Sequence, residues 1–195
     1  LRGLAESVRV TGRLPHVAAP RYATPLSETP QSIQVIPQAV LAEQGAFTLS
    51  DAMRNVPGIA LQAGEGGGAS GTAGDMFNMR GFSAASSLFV DNVRDDGLIT
   101  RDVFNLEQVE VVKGPSSAYG GRDSGGGSIN LVSKTPKLKS GTRVDLGLGT
   151  DNYLRGTVDA NYLLADGVAA RLNLMTHEAD IAGRLPGLLR PLWPG

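Results

Sequence analysis

Cysteine is absent from the sequence, which removes disulfides, thiolate metal sites and cysteine nucleophiles together. A chain without thiols is indifferent to redox poise, so an oxidising compartment stays open to it. Neither sign of charge dominates: the formal net charge is -1. A nucleic-acid partner, which binds through phosphate neutralisation by lysine and arginine, is set aside on that ground. No run of about 18 apolar residues occurs, so no transmembrane helix is encoded and any membrane contact has to come from strands. Leu1 to Gly12 lacks the basic start and apolar stretch of a secretory leader, which is the expectation for a mature or trimmed N-terminus. Aromatic residues are only 5% while glycines number 26, a balance that suits a turn-rich β architecture better than a helical bundle.

What is present sorts into segments, within a length that suits one domain of ordinary size and the start of a second. Pro15, Pro20, Pro25 and Pro30 recur every five residues and push their predecessors out of the helical region, so residues 13–30 read as an extended leader. Ser32 to Ile36 fits a short strand. Pro37 can open a helix running to Gln44 with Gly45 as its C-cap. Thr48 and Asp51 stand three apart before Ala52, Met53 and Val56, close to a capping box, and that second helix stops at Asn55, Pro57 and Gly58. Gln62 to Asp75 contains six glycines and supports no regular element. Met76 to Arg80, Leu88 to Val93, Val109 to Lys113 and Ser128 to Val132 are predicted strands.

After Arg143 the pattern changes. Leu154, Gly156, Val158, Ala160 and Tyr162 alternate with Arg155, Thr157, Asp159 and Asn161, which gives a ribbon with one apolar and one polar face. Val168, Ala170, Leu172 and Leu174 repeat this against Arg171 and Asn173, and Asp166-Gly167 between the two runs is a hairpin turn. Val144, Leu146 and Leu148 give a weaker first strand. Such hairpins match an outer-membrane barrel wall, apolar toward lipid and polar toward the lumen. A soluble antiparallel sheet with one wet face has the same periodicity, and the alternation does not choose between them.

Several runs resemble TonB-dependent outer-membrane siderophore receptors in order and spacing. TPQSIQVI at 29–36 looks like the opening of the plug, LSDAMRNVPG at 49–58 like its following helix, FNMRGF at 77–82 like its "RGF" strand, and FVDNV at 89–93 like the next strand. The most specific is LEQVEVVKGPSSAYG at 106–120, which continues through Gly125 to Gly127 into INLVSKTP at 129–136. The resemblance implies an α+β plug domain followed by the first antiparallel strands of a transmembrane β-barrel that is incomplete here. Residues 1–29 would be a linker segment, 30–136 the plug and 137–184 the first barrel strands. Residues 185–195, where Pro186, Pro191 and Pro194 would break any ladder, are expected to be a divergent tail left by truncation or a shifted frame.

The resemblance further implies import and not catalysis: energy-coupled uptake of a ferric siderophore across the outer membrane of a Gram-negative bacterium, with the plug toward the periplasm. Haem, cobalamin or a glycan would be the alternative cargo within the family, and a soluble interaction domain the alternative outside it. Glu6, Ser7, Val8, Arg9, Val10, Thr11 and Gly12 look like the TonB box, whose extended backbone can add to a sheet edge of the TonB energy transducer. Arg80 and Lys113 correspond to basic plug residues that pair with acids of the barrel wall. Ligand contacts are implied at two plug apices, Gln62 to Asp75 and Asp95 to Arg101, the second offering Asp95, Asp96, Leu98, Ile99, Thr100 and Arg101. Outer-membrane lipid is the implied partner of the barrel strands, and no cofactor is expected beyond the transported ferric chelate.

Three other motifs do not carry chemistry. RDSGG at 122–126 resembles the surroundings of the serine in trypsin-like proteases, and GPSSA at 114–118 resembles a nucleophile elbow. His16, in the proline-rich leader, and His177, past the alternating run that predicts the third strand, are the only histidines, and neither suits a triad. The glycine run at 64–74 lacks the lysine and hydroxyl that close a phosphate loop. Two histidines without a cysteine also speak against a dedicated metal site.

Overall fold

A computed structural model of the chain describes residue 17 and residues 31–61, 75–84, 86–97, 99–115, 125–150 and 152–179. These fall into two compact units. One runs to Arg101 and resumes over Gln108–Val132, and the other combines Asp102–Glu107 with the described residues from Ser133 onward. No helix among the described residues is long and apolar enough to cross a membrane.

In the first unit, β1 (Ser32–Pro37) leads into α1 (Gln38–Glu43) and α2 (Leu49–Met53). Pro37 is the N-cap of α1 at φ -69° and Gly45 beyond its end takes the left-handed φ of 62°, the conformation glycine reaches without Cβ strain. The capping box of α2 is complete. Asp51 N–H donates to Thr48 Oγ1 at 3.2 Å and Thr48 N–H donates to Asp51 Oδ2 at 3.1 Å. The helix stops at Met53, short of Asn55, with Arg54 as C-cap.

Seven strands follow in this part of the chain: β2 (Ile59–Leu61), β3 (Phe77–Met79), β4 (Phe82–Ser83), β5 (Leu88–Val90), β6 (Val93–Arg94), β7 (Leu106–Lys113) and β8 (Gly127–Ser133). With β1 they make a five-stranded sheet of order β1-β7-β8-β5-β6 and a small sheet of order β2-β3-β4. The antiparallel register of β1 and β7 sets Val35 opposite Glu110 and Ile36 opposite Val109. β7 is buried on both faces, as a central strand should be. The core around it draws Leu41, Leu49 and Met53 from the helices and Phe77, Met79, Val109, Val111 and Ile129 from the strands.

Two predicted strands come out differently. Leu88 to Val93 is a hairpin, because Asp91 and Asn92 both take positive φ, at 49° and 69°, the backbone of a tight two-residue turn. Met76 to Arg80 ends at Met79, because Arg80 and Gly81 (φ 51° and 85°) form the turn into β4.

The second unit is built on a meander of β9 (Gly141–Leu148), β10 (Leu154–Ala165) and β11 (Val168–Glu178), all antiparallel. Gly167 turns the second hairpin at φ 80°, and the register slips between Leu163 and Ala165 beside it. The alternation expected from sequence is present but inverted relative to a water-soluble sheet. Leu146 and Leu148 are 78% and 82% exposed, and Val144, Leu172 and Leu174 lie open too, whereas Arg155 and Asn161 are both 7% exposed. An apolar outer face over a charged inner one is what lipid on one side and polar protein on the other select.

Candidate functional site

The loop from Asp95 to Arg101 follows β6, and its shape is set from within. Arg101 is buried, and its guanidinium donates to Asp95 Oδ2 through Nε at 2.9 Å and Nη2 at 2.7 Å, and to the carbonyls of Gly97 and Ile99. The Gly97 N–H, first, and then the Arg101 fork hold the Asp95 carboxyl below the usual carboxylate range. Asp96, Ile99 and Thr100 are left facing solvent. Of the residues implied as ligand contacts, Asp96 and Thr100 are therefore accessible, Asp95 and Arg101 are engaged with each other, and Leu98 lies outside the described residues. So do positions 62–74 of the other apex, whose sequence carries Glu65 and neither lysine nor arginine, and all of Glu6 to Gly12.

Arg80 and Lys113 come together on the same unit. Lys113 Nζ donates to Gln34 Oε1 at 3.1 Å. Burial, and then the positive charge of Arg80, push the lysine pKa down from its ordinary value. Two cations placed close together repel, and among the described residues neither forms an ion pair. Arg80 also holds a left-handed φ of 51°, a conformation that costs a residue with a Cβ on the order of 1 kcal/mol. Gly114 gives its side chain room, since a Cβ there would stand 3.3 Å from Arg80 Nη1.

The second unit carries a part-buried ion network that sequence reasoning missed. Arg155 Nη2 reaches Asp102 Oδ1 at 2.7 Å, and Arg171 bridges Asp159 at 2.7 Å and Glu107 at 3.3 Å. Lys134 adds a 2.9 Å contact to Asp159, and Lys137 pairs with Glu107. Partial burial pulls the Glu107 carboxyl upward, but Lys137 and Arg171 outweigh it and hold the group below its usual range. Asn161 accepts from Lys137 N–H and donates to the Lys137 and Lys139 carbonyls. The polar face of β10 and β11 was legible in the alternation. Its partners lie 22 to 64 residues away in sequence, and no local pattern names them.

Among the described residues no group of His, Asp or Glu side chains is placed to hold a metal ion. The comparisons agree with a receptor. The profile of the TonB-dependent Receptor Plug Domain matches residues 25–128. A probable TonB-dependent receptor of Bordetella pertussis, BfrD, is 48% identical over 85% of this chain and 22% of its own length. The catecholate siderophore receptor Fiu of Escherichia coli K12 is 43% identical over 86% of this chain and 22% of its own. The crystal structure of Fiu in its closed form superposes with a TM-score of 0.80 at 42% identity, over 87% of this chain and 24% of that one. The siderophore receptor PiuA of Acinetobacter baumannii gives 0.80 at 39% identity, over 90% and 24%. The chain thus spans about a fifth of the length of the curated receptors it matches, and with a plug fold joined to barrel-type strands it belongs to the TonB-dependent receptor family.

Proposed function

We propose that the chain supplies the gating plug and first wall strands of an energy-coupled receptor that imports ferric siderophores through the outer membrane of a Gram-negative bacterium. The observation that carries this reading is the inverted β9–β11 meander, with aliphatic side chains outward and Arg155, Asp159 and Arg171 inward. Water would select the opposite orientation. The cargo follows from the relatives, which are named as receptors for catecholate siderophores and for ferrioxamine B.

Within this reading each site residue has a role. Arg80 and Lys113 would meet acidic side chains of the complete barrel, which would offset their mutual repulsion and give a reason for an arginine to be kept at a strained φ. Such pairs hold a plug in register, because truncating one partner leaves a poorly solvated charge. Asp96, Ile99 and Thr100 would face the ferric chelate, and Glu6 to Gly12 would add as a strand to the TonB transducer in the periplasm. Coupling requires that the chelate bind two plug states with different affinity.

The test is uptake of a radioactive ferric catecholate by cells whose receptor joins this chain to the remaining barrel of Escherichia coli Fiu. Val10→Pro removes a backbone donor needed for strand addition, so it should abolish uptake and leave surface binding of the chelate intact. Undiminished uptake with Val10→Pro would refute the TonB-box assignment, and no uptake or binding with the unaltered sequence would refute the siderophore reading.

A further inference from the structure

Arg101 is bound far more thoroughly than a residue held ready for a ligand. Besides the fork onto Asp95 and the two loop carbonyls, its Nη1 lies 3.7 Å from Asp75 Oδ2. Its backbone N–H donates to that same oxygen at 2.7 Å, and its carbonyl accepts from Leu49 N–H at 2.9 Å, the first residue of α2. Asp75 is itself buried. Its other oxygen accepts from Ser50 Oγ at 2.9 Å, one residue further into α2, and its N–H donates to the Ile99 carbonyl. Gly97 fits against the clamp so closely that a Cβ there would stand 3.0 Å from Asp95 Oδ1 and 3.4 Å from Arg101 Nη2.

We propose that Arg101 is a positioning residue for the ligand-facing loop and not a ligand contact: clamped by Asp95 and Asp75, it fixes the shape in which Asp96, Ile99 and Thr100 are presented and ties that loop to the start of α2. The words "ligand-facing" rest on the function proposed above; the clamp does not. Chemistry explains the choice of residue. Arginine offers five donors in a rigid fork, so one side chain can close on a carboxylate and two carbonyls at once, which a lysine point charge cannot do. Asp95, whose carboxyl is only part-buried, is the member of the clamp that a change can remove while leaving the core alone.

The experiment is amide hydrogen exchange on the 195-residue chain in detergent, without any ligand, for Arg101→Gln, Arg101→Lys and Asp95→Asn. Charge-assisted bonds hold the loop, so exchange in segments 95–101 and 48–54 should rise roughly tenfold in Arg101→Gln, and in Asp95→Asn too, with β7 and β8 unchanged. Arg101→Lys should resemble Arg101→Gln, because it keeps the charge and loses the fork. Unaltered exchange in both segments in Asp95→Asn, full protection in Arg101→Lys, or a rise shared equally by β7 and β8 would overturn the proposal. If Arg101→Gln fails to fold, Asp95→Asn alone decides. A failure of siderophore uptake in the chimaeric receptor would leave these exchange rates untouched, so the two proposals fall separately.

Discussion

Gly127 is the residue on which the junction of the plug strands turns. It takes φ 128°, a conformation close to exclusive to glycine, and a Cβ there would lie 2.0 Å from the Val112 carbonyl oxygen and 2.6 Å from Met79 Sδ. The Met79 sulfur could move, but the carbonyl belongs to a buried central strand and cannot. Gly127→Ala should therefore destabilise the plug by about 3 kcal/mol or more, combining backbone strain with displaced packing, measured as a fall in the denaturation midpoint. A change under about 0.5 kcal/mol, ordinary for a surface site, would mean the strand junction yields. Neighbouring Gly126 is nearly as confined, 2.5 Å from the Met79 carbonyl oxygen. In the sequence this cluster was conspicuous only through its family resemblance. Three glycines in a row predict a loop, whereas Gly127 in fact opens β8, because the need for a missing side chain comes from Val112, on a strand that precedes it in the chain.

At the scale of elements, what was legible had local causes. The capping box of α2 was written in Thr48 and Asp51 and formed as written. Burial raises the Asp51 pKa, but hydrogen bonds from the Thr48 hydroxyl and backbone and the charge of Arg54 lower it further, and the net shift is downward. With the folded pKa depressed, this contribution is present above the ordinary carboxylate range and is lost as pH falls below it. Thr48→Ala should cost about 1 kcal/mol at neutral pH, and the difference from the unaltered chain should shrink below about pH 4, where Asp51 protonates in the unfolded state and then in the folded one. A penalty independent of pH across that range would show that Asp51 takes no part in the box. The elements that escaped the sequence are β2, β4 and β6, which run only three, two and two residues. Such stretches are too short for periodicity, and partners across a turn define them. The Asp91-Asn92 turn did carry a local cue, since these two residue types tolerate the left-handed region, but the apolar positions on either side made it look like one continuous strand.

At the scale of the whole chain, the question is what the meander does in water. Val144, Leu146, Leu148, Leu172 and Leu174 form an outward apolar face with two open edges, β9 and β11, and each feature alone favours association. The plug segment differs, because Leu41, Leu49, Val109, Val111 and Ile129 already lie in its own core. Cutting at 136 would separate Asp102, Glu107 and Lys134 from Arg155, Asp159 and Arg171, but ions released to water recover their hydration, so the loss is far smaller than burying one of them unpaired. Residues 30–136 expressed alone should therefore sediment as a monomer in plain buffer, while the full chain should associate there and disperse in detergent. Replacing Leu146, Leu148, Leu172 and Leu174 together by serine tests the cause, since removing the outward apolar area leaves the inward ion network intact and should return the full chain to monomer. Association that persists in this variant would locate the adhesive surface elsewhere, and a full chain monomeric in buffer from the outset would show that its outward face tolerates water and does not need lipid.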